Sequence, residues 1–118
     1  MLFSREAPAA AYGDQKVYVV GGRPNNDTAE VFDLSDESWK LLPSPLYQRW
    51  NSSAIVLKEA LYVVGGFPVE FVGRSIERYV FWRDAWEGVE STCPLPLANA
   101  GLIKSGDSTF LILGGRFS

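Results

Sequence analysis

The chain has 118 residues, 47% of them hydrophobic and 21% charged, enough for one small folded core and too ordinary in composition for a disordered segment. The net charge of −3, without a Lys/Arg run, gives no general attraction to nucleic acid, and no apolar run approaches the roughly 20 residues that span a bilayer as a helix. Histidine is absent, which removes the commonest general base and metal ligand, together with Ser-His-Asp and Cys-His catalysis.

In chain order, the N-terminal stretch MLFSREAPAAAYG lacks a secretory signal pattern because Arg5 and Glu6 interrupt it. Lys16–Val20 is β-branched and aromatic, ends at Gly21-Gly22, and predicts a strand. Thr28–Asp33 alternates polar and apolar residues and predicts a second strand. A short strand from Ser38 stops at Pro43. The same series then returns. Predicted strands cover Asn51–Leu57, Leu61–Val64, Ser75–Phe81 and Ala85–Ser91, with Gly65-Gly66 closing the second of them. Near the end FLILGG repeats the theme once more, with Gly114-Gly115. The Gly pairs lie 44 and 49 residues apart, and the aromatic-to-Trp spacing is seven residues both times, Phe32 to Trp39 and Tyr79 to Trp86. A proline-marked turn follows each Trp. The expected architecture is therefore all-β, with about four short strands per period. A Gly pair lets the chain leave a buried strand where a Cβ would obstruct it.

Four strands in each 44 to 49 residues is the pattern of a propeller blade. Apolar run, Gly-Gly, spaced aromatic and then Trp resembles the kelch repeat, from about Pro8 onward. The resemblance implies a partial β-propeller of four-stranded antiparallel blades: blade 1 at about 8–45, blade 2 at about 49–96, and the two inner strands of a third at about 97–118. It makes Gly21, Gly22, Phe32, Trp39, Gly65, Gly66, Tyr79, Trp86, Gly114 and Gly115 structural motif residues. Closed kelch propellers have about five to eight blades. This chain encodes about two and a half, and Met1–Pro8 offers no outer strands to complete the third. Further blades or a larger assembly are expected around it.

The chemistry-bearing residues point away from catalysis. The Gly pairs do not continue into a dinucleotide or Walker loop. The acidic groups Asp33, Asp36, Glu37, Glu87 and Glu90 fall in turns or on an outer strand, where solvated charge is the expected role. Single Cys93 lacks a histidine partner, permits no intrachain disulfide, and favours a reducing, cytoplasmic setting. Two sequons, Asn26-Asp27-Thr28 and Asn51-Ser52-Ser53, point weakly the other way. No cofactor or metal is implied, and neither nucleic acid nor membrane is expected as a partner.

What remains is recognition. In kelch proteins that act as adaptors, one rim binds partner peptides through the loops after each Gly pair and before each innermost strand. Carried onto this chain, those loops hold Arg23, Asn25, Arg49, Trp50 and Asn51. Arg and Trp are enriched at binding hot spots, and an arginine fork favours carboxylates, so a peptide with acidic residues is the expected ligand. The apolar loop Phe67–Val72 is either a hydrophobic contact or simply packed. The reading is a protein-interaction scaffold, in the manner of a substrate adaptor. Its alternatives are a piece of a kelch-fold enzyme, such as a sugar epimerase or an oxidase, and a structural subunit of a larger complex.

Overall fold

A computed structural model of the chain describes residues 1–90, 93 and 95–113. Its first regular elements are β1 (Arg5–Glu6), β2 (Ala9–Gly13), β3 (Lys16–Val20), β4 (Arg23–Pro24), β5 (Ala29–Asp33) and β6 (Ser38–Leu41). There follow β7 (Ser53–Val56), β8 (Ala60–Val64), the single helical turn α1 (Val69–Val72), β9 (Ile76–Val80) and β10 (Ala85–Gly88), then β11 (Gly101–Lys104) and β12 (Phe110–Leu113). Antiparallel sheets form in the orders β2-β3-β5-β6 and β7-β8-β9-β10, and β11 pairs with β12. This is a partial β-propeller: two four-stranded blades and, among the described residues, two strands of a third. The third Gly pair, Gly114 and Gly115, lies outside the described residues.

Strand order follows from the turns. Each blade is an up-and-down meander, so strands consecutive in sequence pair with their neighbours and no crossover is needed. The innermost strands β2, β7 and β11 stand side by side, β7 between the other two. A backbone relay steps between blades at their leading ends: the Asn51 N–H donates to the Ala7 carbonyl at 2.7 Å, and the Asn99 N–H to the Asn51 carbonyl at 2.9 Å. All three residues have positive φ, between 55° and 57°.

The paired aromatics sit directly across the outer ladder. Phe32 opposes Trp39 with ring centroids 5.1 Å apart, and Tyr79 opposes Trp86 at 5.4 Å. Trp86 is buried against blade 1, where its Nε1–H donates to the Pro43 carbonyl at 2.8 Å. Trp39 is only half-buried, because among the described residues no blade packs on its face of blade 1. Between the blades, Tyr18 stacks on Phe81 at 5.5 Å, and Tyr62 meets Phe110 of the third sheet at 5.3 Å. Apolar burial thus runs across the blade faces, as stacked repeats require.

The Gly pairs do more than end a strand. Gly21 and Gly65 have φ of +68° and +63°, and a Cβ on either would overlap a backbone carbonyl oxygen, that of Arg49 or of Leu97. The next glycine of each pair uses that approach. The Gly22 N–H donates to the Arg49 carbonyl at 3.0 Å and the Gly66 N–H to the Leu97 carbonyl at 2.8 Å. Each pair is therefore the seam that ties one blade to the chain starting the next.

A buried ion pair repeats at the same place in both blades. The Arg5 Nη2 lies 2.8 Å from the Glu30 carboxylate, and the Arg49 Nη2 lies 2.8 Å from the Glu77 carboxylate; all four side chains are fully buried. In each, Nη1 donates to the carbonyl of the first glycine of the pair, Gly21 or Gly65, at 2.7 Å. It also reaches the carbonyl of Thr28 or Ser75. The carboxylates accept a further backbone N–H from Leu2 at 2.7 Å or Leu46 at 2.8 Å. Arg49 thus bonds blade 1 with its backbone and blade 2 with its side chain.

Removing one partner of such a pair strands a buried charge. We expect Arg49→Ala to lower stability by about 3–5 kcal/mol in chemical denaturation. The double change Arg49→Met with Glu77→Leu should recover most of that loss. Equal losses in the single and double variants would show that the pair is not what holds the seam.

Candidate functional site

The loops after the Gly pairs and those before the innermost strands meet on one rim. Extended backbone alternates its side chains, so successive residues there face opposite ways. In Arg49-Trp50 the arginine turns inward and the tryptophan outward. Arg49 is 0% exposed and locked to Glu77 and Gly65. The expectation that Arg49 contacts a partner is corrected: its guanidinium is consumed by the fold. A rim carboxylate could not reach it without breaking the ion pair.

Trp50 remains on the rim, half-buried. Its backbone forms an antiparallel bridge with Phe67, the Phe67 N–H donating to the Trp50 carbonyl at 2.8 Å, and the two rings lie 6.1 Å apart. One repeat earlier Glu6 pairs with Arg23 in the corresponding bridge. The exposed Arg23 guanidinium carbon then lies 5.1 Å from the Trp50 ring centroid. Arg23, Trp50 and Phe67 therefore form a continuous strip across the two blades, a cation over an indole beside a phenyl ring. Such a cation–π contact stiffens the guanidinium yet leaves its donors available. Among the described residues Arg23 takes part in no ion pair.

The Phe67–Val72 loop resolves into a cis Phe67-Pro68 bond followed by α1. That one turn divides two apolar neighbours: Val72 is buried, whereas Phe71 is 79% exposed beyond the strip. The loop is thus both things the sequence left open, packed through Val72 and presented through Phe71.

The asparagines have structural work. The Asn25 side chain donates to the Ser4 carbonyl at 2.9 Å, and its own carbonyl accepts from the Thr28 hydroxyl at 2.8 Å, which shapes the turn below Arg23. Asn51 carries the blade-to-blade relay through its backbone and keeps its side chain half-exposed next to Trp50. Glu30 and Glu77 were missed as repeat residues. The signal was present: Arg5 and Arg49 are separated by the Gly-pair period of 44, and Glu30 and Glu77 by the Trp period of 47.

The two carboxylates have different electrostatics. Burial alone would raise Glu30, but the Leu2 N–H, the Arg5 guanidinium and the Phe3 N–H outweigh it, and its pKa falls below the usual glutamate value. Burial dominates at Glu77 and pushes its carboxyl up against the pull of Arg49 and the Leu46 N–H. Tyr79 is raised by burial and by its hydrogen bond to Asp84, and the Cys93 thiol is raised by burial, so neither is an activated nucleophile. Among the described residues no group of three or more His, Cys, Asp or Glu side chains is placed to hold a metal ion.

Because the folded pKa of Glu30 is lowered, the stability it contributes is present above the ordinary glutamate value of 4.5 and is lost as pH falls through the folded value. Denaturation midpoints measured downward from pH 5 should therefore fall more steeply for the native chain than for Glu30→Gln. Parallel slopes would contradict the assignment.

Comparison with known proteins agrees with this geometry. The Kelch motif model matches residues 4–46, which hold the first Arg–Glu pair, the first Gly pair and the Phe32–Trp39 pair. The chain belongs to the kelch-repeat family. It is similar to Kelch-like protein 35 of Mus musculus, 32% identical over 100 residues that cover 84% of this chain and 17% of that protein. It is also similar to two proteins of Arabidopsis thaliana. One, an F-box/kelch-repeat protein, is 29% identical over 93 residues, 74% of this chain and 22% of its own length. The other, a kelch repeat-containing protein, is 37% identical over 74 residues, 55% and 18%. The chain thus spans less than a quarter of each of these three relatives. Kelch repeats and relatives of this kind support a protein-interaction role in general terms.

Proposed function

We propose that these kelch blades act as a docking scaffold whose rim binds a partner protein, through the strip of Arg23, Trp50 and Phe67 with Phe71 beside it. The observation that carries the proposal is the Arg23–Trp50 contact, because it joins a free guanidinium to an aromatic surface across the seam between two blades. Rigid blades fix the spacing of the two loops, so a bound segment would meet them already organised. The guanidinium fork suits a carboxylate on the partner, and the Trp50, Phe67 and Phe71 rings suit an apolar residue next to it. The expected ligand is an extended segment with an acidic residue followed by a hydrophobic one. Binding without chemistry is the activity proposed. A substrate-adaptor setting is suggested by the F-box/kelch relative, whose name pairs the repeats with a second module.

The test is selection from a displayed peptide library on the folded chain, followed by affinity measurements on variants. Arg23→Ala and Trp50→Ala should each weaken the selected peptides by about tenfold or more. Thermal melts should move little for Arg23→Ala. Arg49 is unsuitable for this test, since its loss acts on folding. If acidic peptides are not enriched, or both variants bind as well as the native chain, the rim is not the docking site.

A further inference from the structure

The face opposite the rim carries a concavity that the docking reading leaves unused. The turns at 13–16, 57–60 and 105–109 gather there, and the Lys58 N–H donates to the Asp107 carbonyl at 3.1 Å, joining the second blade to the third sheet. A cavity of about 520 Å³ opens between them, with Tyr12, Asp14, Lys16, Tyr18, Lys58 and Lys104 in its wall. That volume lies within the range of small-molecule sites.

The chain has only four lysines, and three line this one cavity. Each comes from a different sheet: Lys16 begins β3, Lys58 sits in the turn between β7 and β8, and Lys104 ends β11. None is in an ion pair among the described residues. Among the described residues Asp14 is the one carboxylate in the wall. Asp33, the acid whose field Lys16 feels, lies outside this cavity and is held by Ser35, whose hydroxyl donates to it at 2.6 Å and whose N–H donates at 2.9 Å. In a chain of net charge −3, this sets three ammonium groups against one carboxylate in one concave place, with Asp33 opposite Lys16 across the ladder outside it. Phenols complete the wall. Tyr18 is buried and stacked on Phe81, so its ring is fixed, and burial followed by Asp14 raises its pKa, which keeps the hydroxyl a donor.

We infer that this cavity binds a small, multiply charged phosphate-bearing anion, with Lys16, Lys58 and Lys104 as its cationic donors and Tyr12 and Tyr18 at its wall. Lysine is a compact point charge that suits a phosphate approached from several sides. The arrangement is a product of the blade repeat, since three turns from three sheets must converge for the three ammonium groups to share one ligand. The site is independent of the rim, which faces the other way.

The experiment titrates inorganic pyrophosphate into the folded 118-residue chain at low salt, read by a two-dimensional amide spectrum, which also reports that the fold is intact. The expected result is saturable movement of the Gly13, Lys16, Lys58 and Lys104 signals, with Arg23 and Trp50 still. The variant carrying Lys58→Gln and Lys104→Gln, both at exposed positions, should bind about tenfold more weakly. Lys40→Gln, which lines only the neighbouring cleft, should bind as the native chain does. Movement that never saturates, or loss of binding in Lys40→Gln equal to that in the double variant, would overturn the site in favour of diffuse surface charge. Citrate binding as tightly as pyrophosphate would overturn the phosphate assignment.

Discussion

The buried arginine–glutamate pair is the constraint on which the blade geometry depends. Taking two full charges out of water is costly unless they are paired and hydrogen-bonded, and of the Arg49 guanidinium only Nε is left buried without a partner among the described residues. Here the guanidinium is shared between a carboxylate on the third strand, a glycine carbonyl at the end of the second, and a third-strand neighbour. Those bonds fix the distance between the two strands at the rim end of the blade. They also fix the segment that carries the arginine, whose own carbonyl receives the N–H of the previous blade's glycine. One residue thereby decides both the shape of its own blade and the seam with the one before. At the corresponding place before the third sheet stands Leu97, which keeps the backbone bond and gives up the ion pair.

The same constraint leaves the neighbouring rim side chains out of the interior. With the Arg49 side chain held in the interior by Glu77, its neighbour Trp50 is turned out beside Phe67 and under Arg23. Positions equivalent in the two repeats carry Glu6 and Arg23 in one blade and Trp50 and Phe67 in the other. The scaffold repeats and the surface does not, which is how repeat proteins separate stability from specificity. The opposite face follows the same logic, with lysines and tyrosines where the rim has arginine, tryptophan and phenylalanine, so the two ends of the blades present different chemistry from one framework.

Legibility in the sequence tracked how local each feature is. The strands from Lys16 to Val20 and from Leu61 to Val64, the Gly pairs and the Trp spacing depend on backbone preference and on contacts within one blade, and they were readable. The helical turn at Val69–Val72 was not, because four residues between a proline and a glycine carry no periodic signal. Neither was the short ribbon of Arg5–Glu6 with Arg23–Pro24, whose partners lie far apart in sequence. The placement of Arg23 and Trp50 on the rim was anticipated, but their contact with each other was not, since it crosses from one blade to the next.

The sequence by itself determined the periodic parts of this protein: where strands fall, where glycine must stand, and how the aromatics and tryptophans are spaced. Tertiary structure alone decided which way Arg49 and Trp50 face. In extended backbone adjacent side chains point to opposite sides, and nothing within the pair states which side is the interior. That choice is made by Glu77, 28 residues further on, whose buried carboxylate draws the guanidinium inward and leaves the indole outside.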